Sequence, residues 1–328
     1  VIRIVAQYDI VEGMKRNETT GRYSEMSGFN EQFIISIVII AIGYVLKRFN
    51  LVKEKDGEGI ARIVFNLTLP CLIIVTFSDV EFTASLFYLV IIAFIYGVIN
   101  AVIALMVFRK HTKDIKGTFG MMVPGLNIGL FAYPLVEGLF GFEGLKYFGM
   151  FDVGNAFIVF GLSYIIAGVY AGSAGMLETR SIIVKLSKSI PLQTYLIMCL
   201  INIIGFQLPD IVVNVSSVIS VANMPLSLLL LGLYLNFSFA KGYGKLIAKF
   251  LFTKYGIGLI TGFACYLWLP VEEMFKFTLL IGFILPTPAS VLPYAIMFGY
   301  NQRLVGTASN ITMIISFVLI WLIVNVIV

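Results

Sequence analysis

The sequence predicts an all-α polytopic membrane protein of about ten transmembrane helices, arranged as two inverted five-helix repeats. Three observations lead there. Only 12% of the 328 residues are charged and 59% are hydrophobic; soluble domains carry about 25% charged residues, so this chain cannot cover a water-exposed surface. The apolar residues fall into about ten runs, each near the roughly 20 residues that cross the hydrocarbon as a helix. Helix breakers cluster at corresponding places in the two halves, PGLNIGLFAYP at 124–134 and PTPASVLP at 286–293.

In order along the chain, residues 1–28 are polar and mixed in charge, with no apolar h-region, and form an N-terminal extension rather than a secretory signal. Met26 immediately precedes the first span and reads as a natural start. The spans are expected at about 29–47, 59–77, 83–108, 117–139, 147–171, 190–206, 211–236, 246–269, 274–297 and 303–327. A first repeat over 29–171, a cytoplasmic connection over 172–189 and a second repeat over 190–328 follow from that division.

Loop charge sets the orientation. Lys47, Arg48, Lys53 and Lys55 lie in the first loop, Arg109, Lys110, Lys113 and Lys116 in the third, and Arg180, Lys185 and Lys188 in the fifth. Lys241, Lys245 and Lys249 lie in or near the seventh, and Arg303 near the ninth, whereas the alternate loops are acidic or almost bare. By the positive-inside rule the odd loops are cytoplasmic and both termini lie outside; only the basic tail, with Lys15, Arg16 and Arg22, dissents.

Five spans per half is an odd number, so the second half enters the membrane with inverted orientation. Short matches support a repeat: Asn66 with Pro70 in the second span and Asn223 with Pro225 in the seventh, then Tyr133 with Pro134 in the fourth and Pro293 with Tyr294 in the ninth.

The breakers themselves mark a binding site. Proline removes a backbone donor and clashes with the preceding turn, so freed carbonyls must find partners in protein, water or ligand. One proline only kinks a membrane helix; Pro124 and Pro134 around Gly125, Asn127 and Gly129, with Pro286, Pro288 and Pro293, free too many groups for that. A helix restarting at the midplane presents unpaired amides and the positive end of its dipole, which attracts anions. Counted from Gly117 at 1.5 Å per residue, Asn127 lies about 15 Å deep, near the centre of the hydrocarbon. Gly125 and Gly129 let backbones cross closely. Asn66 and Asn223, beside the repeat prolines, are candidates to line the same site.

Acidic groups at depth are few. Asp152 and Asn155 share a face of the fifth span at i and i+3 and are candidates to couple transport to a proton or a cation, the alternative being an interfacial pair at a wet vestibule. Glu137 lies nearer the surface and reads as solvated.

Other chemistry is poorly provided for. Cys71, Cys199 and Cys265 sit singly in apolar runs, and His111, the one histidine, lies in a basic loop, so neither a metal site nor a disulfide framework is expected. An intramembrane enzyme needs a nucleophile with a base, or paired acids, and the sequence offers neither within its spans. No P-loop is present and no cofactor is expected, H+ or Na+ as coupling ion apart. The net charge of +5 is dispersed among short loops, which argues against a nucleic-acid partner.

NLTLP at 66–70 after a basic first loop, N-x-G-x-x-x-x-P at Asn127, Gly129 and Pro134, and a proline-rich ninth span followed by Gly299-Tyr300-Asn301 resemble the auxin efflux carrier family of permeases. The resemblance runs from Met26 to the C-terminus. It implies two inverted five-helix repeats of the bile-acid-transporter or NhaA-like architecture, with broken helices 4 and 9 crossing. It also implies elevator-like transport of organic anions, with Asn127 as the crossover asparagine and Pro134 and Pro293 as crossover prolines. Ala132 and Tyr133 stand where many members have glycine and leucine, and the connection 172–189 is short where the auxin carriers carry a long insertion. The chain therefore looks like the compact microbial branch, in a prokaryotic cell membrane. The expected partners are the bilayer, a small carboxylate substrate and a second copy of the chain in a homodimer. A sodium symporter of bile-acid-carrier type and, from another class, an intramembrane enzyme or a sensor are the competing readings.

Overall fold

The computed structural model describes residues 18–78, 80, 83–172, 187–236 and 242–327. These are helical throughout apart from turns and two non-helical interruptions; there is no strand among them. Helix α1 spans Glu18–Arg48, α2 Gly57–Phe77 and α3 Ala84–Val107. The short α4, Lys113–Met122, ends at the first breaker cluster. The run Ile128–Tyr170 is two helices, α5 (128–140) and α6 (142–170), meeting at Gly141, whose φ of 57° and ψ of −149° suit glycine alone. Then come α7 (Ile190–Ile204), α8 (Asp210–Tyr234, with a turn at 221–222) and α9 (Gly244–Trp268). The second cluster separates α10 (Glu273–Gly282) from α11 (Val291–Phe298), and α12 spans Gln302–Ile327. Seven helical runs among the described residues are long and apolar enough to cross a membrane.

The first helix begins at Glu18, so the expected polar extension overlaps it from that residue on, and 1–17 lie outside the described residues. Most of the expected connection 172–189 also lies outside them.

Proline is accommodated by local geometry that periodicity does not reveal. In α2 a π turn, Val64–Thr68, ends two residues before Pro70; in α5 a π turn, Ile128–Ala132, ends two residues before Pro134. The wider turn separates the proline ring from the carbonyl it would strike in a regular α-helix and absorbs the missing donor. In α8, Pro225 falls in the first turn after the interruption, where its missing N–H has no intrahelical acceptor in any case.

Packing divides the helices into two groups. In one, α1 lies on the second half of α8, the first half of α8 on α2, and α7 on α2. Gly43 of α1 faces Leu229 and Gly232 of α8, and a Cβ on either glycine would strike the partner's backbone, so the two helices approach to backbone contact. In the other group α3 packs on α6, α4 on the end of α6, α9 on α10, and α11 on α6 and α12. Stacked Phe108, Phe119 and Phe250, with centroids 4.6 and 5.1 Å apart, tie α3, α4 and α9 together at the basic-loop end. The outer surface is apolar: Phe252, Ile260, Leu267 and Trp268 run down one exposed side of α9, the side chains a lipid-facing helix presents.

Candidate binding site at the helix interruptions

The two breaker clusters touch. The Asn127 N–H donates to the Pro286 carbonyl at 2.9 Å, and a Cβ on Gly125 would come within 2.8 Å of Pro288 Cγ, so only glycine permits this approach. Backbone groups freed by the interruptions are satisfied one by one from neighbouring helices. At the first, the Leu126 N–H donates to Asn155 Oδ1 and the Leu126 carbonyl accepts from Asn155 Nδ2, both at 3.0 Å, so one asparagine side chain stands in for a missing turn. The Val123 and Gly125 carbonyls accept from Lys254 Nζ of α9 at 3.2 and 3.1 Å. At the second, Phe283 O accepts from Tyr96 Oη of α3 at 3.2 Å and Ile284 O from Ser316 Oγ of α12 at 2.6 Å. The Thr287 N–H donates to Thr312 Oγ1 at 3.2 Å. The π segment Phe157–Leu162 of α6 leaves the Val159 carbonyl to accept from Tyr294 Oη at 3.2 Å.

The crossing forms the floor of a cavity of about 1080 Å³ that lies between the two helix groups. The first turns of α5 and α11, with Ile128 and Gly129 on one and Val291 and Leu292 on the other, line it. Two sets of first-turn amides and two positive dipole ends thus converge on one space. At its mouth the lining includes Lys55, Lys188 and Arg303, from the basic loops, against Glu58. A separate small void of about 10 Å³ lies between α2, α5 and α7, lined by Leu69, Leu72, Phe77, Tyr133 and Tyr195, room for no more than a single water. Tyr133 and Tyr195 hydrogen-bond hydroxyl to hydroxyl beside it.

Asp152 and Asn155 both line the cavity, as a shared helix face predicts. Asn155 Nδ2 donates to Asp152 Oδ1 at 3.2 Å and Tyr133 Oη to Asp152 Oδ2 at 2.9 Å, so neutral donors hold both oxygens of this partly buried carboxylate at the cavity wall. Among the sequence-derived candidates, Asn127, Gly129, Pro288, Pro293 and Asn66 also line the cavity. Gly125, Pro124, Pro134 and Pro286 are buried at or beside the crossing and shape it from behind. Asn223 does not reach it: fully buried on α8, its Oδ1 accepts from Thr68 of α2 at 3.0 Å, so it joins two helices of the first group. Glu137 is half-buried, and its Oε2 is enclosed without a hydrogen-bond partner, against the solvated position expected for it.

Lys254 is not among the candidates named from the sequence, where only Lys241, Lys245 and Lys249 are placed in or near the seventh loop. Depth is the signal that finds it. Ten residues into α9, at 1.5 Å each, it stands about 15 Å from the helix start, where an ionisable side chain marks function by default. Thr287, Thr312 and Ser316 carry no such signal, since hydroxyls are ordinary in apolar helices.

Comparison with known proteins gives the family. The family model described as membrane transport protein matches residues 29–324. An uncharacterized transporter of Methanothermobacter thermautotrophicus is 28% identical over 218 residues, covering 65% of this chain and 70% of that protein. An uncharacterized transporter of Methanocaldococcus jannaschii is 23% identical over 310 residues, covering 89% of this chain and 98% of its own.

Proposed function

Because the chain belongs to the membrane transport protein family, the auxin efflux carrier family that its motifs resemble, we propose that it is a secondary transporter for a small organic anion bearing a carboxylate. The substrate binds at the crossing of the two interruptions and is exposed alternately to each side of the membrane. The observation that carries this reading is the convergence of two helix N-termini on the floor of a cavity with a basic mouth. An anion gains from both dipole ends and from the Asn127 side chain, while Lys55, Lys188 and Arg303 raise its local concentration.

In this reading the chain has ten spans in two inverted five-helix repeats, with α4–α5 and α10–α11 as broken spans four and nine. The repeat is supported by matching interruptions, Asn66–Pro70 in α2 with Asn223–Pro225 in α8, and the two breaker clusters. The positive-inside rule places both termini outside and the cavity mouth in the cytoplasm. The group containing α3–α6 and α9–α12 holds the whole crossing, and the group containing α1, α2, α7 and α8 forms the opposite wall. Sliding of one group against the other carries the site across, an elevator-like movement. Asp152, neutralised by a proton, relieves its repulsion of a bound anion, so proton and substrate travel together. Tyr133 and Asn155, which hold its two oxygens, position it.

Reconstituted liposomes supplied with a panel of mono- and dicarboxylates test the proposal. Saturable uptake of at least one carboxylate, stimulated by an inward proton gradient, is expected. Transport of a neutral solute or an inorganic cation, with none of any carboxylate, overturns it.

A further inference from the structure

Helix interruptions in membrane transporters free carbonyls that commonly coordinate a coupling Na+. At the first interruption here, two such carbonyls, Val123 O and Gly125 O, face the Lys254 ammonium at 3.2 and 3.1 Å. A further buried polar group lies at a similar depth. Lys249 of α9 bonds the Val107 carbonyl of α3, while Tyr96 of α3 abuts Gly258 of α9, so the two helices run antiparallel with a fixed register. Four residues on from Tyr96 is Asn100, and four back from Gly258 is Lys254, which sets both at one depth. Asn100 Nδ2 donates to Tyr96 O at 2.8 Å, and its Oδ1 is buried without a partner. The two carbonyls are hard donors of the kind that bind Na+, whereas Asn100 Oδ1 makes no hydrogen bond to Lys254. The other freed carbonyls of the crossing are met by neutral donors, Asn155, Tyr96 and Ser316. Among the hydrogen bonds of the described residues at the crossing, Lys254 is the one cationic donor, and it is only 1% exposed. Burying an ammonium at that depth is expensive, and hydrogen bonding alone does not require it, since an amide or hydroxyl serves elsewhere in the same crossing.

We propose that Lys254 is a tethered cation: its ammonium occupies the site at the Val123 and Gly125 carbonyls that a soluble Na+ would otherwise take, and binding and translocation proceed without sodium. Lys254 lies behind the crossing and not on the cavity wall, so it is a positioning residue that fixes the non-helical segment ahead of Asn127. Its charge also favours an anion on the far side of that segment. The inference rests on the reading of the crossing as the substrate site.

Thermal unfolding of the purified full-length chain in detergent tests it without any substrate. With Na+ replaced by choline at equal ionic strength, the wild-type Tm is expected to change by less than about 1 °C. Lys254→Ala empties the site; its Tm falls and, unlike the wild type, recovers by about 2–4 °C or more in Na+ over choline. Lys254→Arg, which keeps the charge, stays indifferent to Na+. Where the alanine variant does not fold, Lys254→Gln, which retains a donor, takes its place with the same expected Na+ response. A saturable Na+ stabilisation of the wild type, or neutral variants that gain no Na+ response, overturns the proposal. Failure of carboxylate uptake with sodium indifference intact removes the substrate reading alone, whereas carboxylate uptake that requires Na+ removes the role of Lys254 alone.

Discussion

Asn155→Ala removes the side chain that closes both backbone groups of Leu126. Each group left buried without a partner costs about 1–3 kcal/mol, so two lost bonds predict about 2–6 kcal/mol. Leu126 borders the cavity, and a water entering from that side would satisfy part of the loss, which moves the expectation toward the lower half, about 2–4 kcal/mol. Hydrogen bonds between regular membrane helices average only about 0.6 kcal/mol, because their groups find other partners when separated. The Leu126 amide and carbonyl have no helical alternative, so a loss well above that average is the signature of a side chain that replaces a missing turn. Reversible denaturation of the purified protein in mixed micelles measures it. A loss below about 1 kcal/mol would refute the reasoning, and with it the idea that the interruption is held by borrowed side chains.

Three further perturbations follow from the same geometry. Tyr96→Phe keeps the ring stacked on Phe283, 3.9 Å between centroids, but removes the donor to Phe283 O; the same denaturation assay should read a loss of about 1 kcal/mol, and an unchanged stability would mean that this carbonyl is satisfied by water. Gly232→Val drives a side chain into the Ile40 carbonyl and the Gly43 backbone of α1, and is expected to cost at least about 1–3 kcal/mol or to prevent folding; a neutral outcome would show that the two helices are not in backbone contact. Arg303→Ala removes one positive charge from the cavity mouth, so anion uptake should slow several-fold at low ionic strength and the difference should shrink as salt rises past about 0.15 M, where the Debye length is near 8 Å; a salt-independent effect would argue for direct contact with substrate instead.

The helical segments are legible because their lengths and apolar content are set by the bilayer, and the two interruptions because proline and glycine announce them. Asp152 and Asn155 are found by i, i+3 spacing alone. What periodicity misses is orientation about each helix axis. Asn223 and Asn66 occupy matching sequence contexts, yet Asn66 faces the cavity and Asn223 faces Thr68, since the turn at 221–222 resets the facing of the second half of α8. The π turns before Pro70 and Pro134 are equally silent, because they arise from where the proline ring must be cleared and not from any residue that favours them. Lys254 hides behind the lysines of its own helix. The partners of the freed carbonyls, Tyr96, Ser316 and Thr312, come from helices remote in sequence, and only tertiary packing brings them to the crossing.

The central claim is that a transported carboxylate sits on the floor formed by the two interruptions. Thiol protection measures this directly. With Cys71, Cys199 and Cys265 replaced by serine, a single cysteine is introduced as Ala289→Cys, an exposed position of the second interruption that lines the cavity. A control chain carries Leu51→Cys in the first loop, 72% exposed. The account predicts that a carboxylate shown to be transported slows alkylation of Ala289→Cys with the same half-saturation as transport and leaves Leu51→Cys unchanged. Transport of that carboxylate with no protection at Ala289→Cys would contradict it and place the substrate elsewhere in the protein.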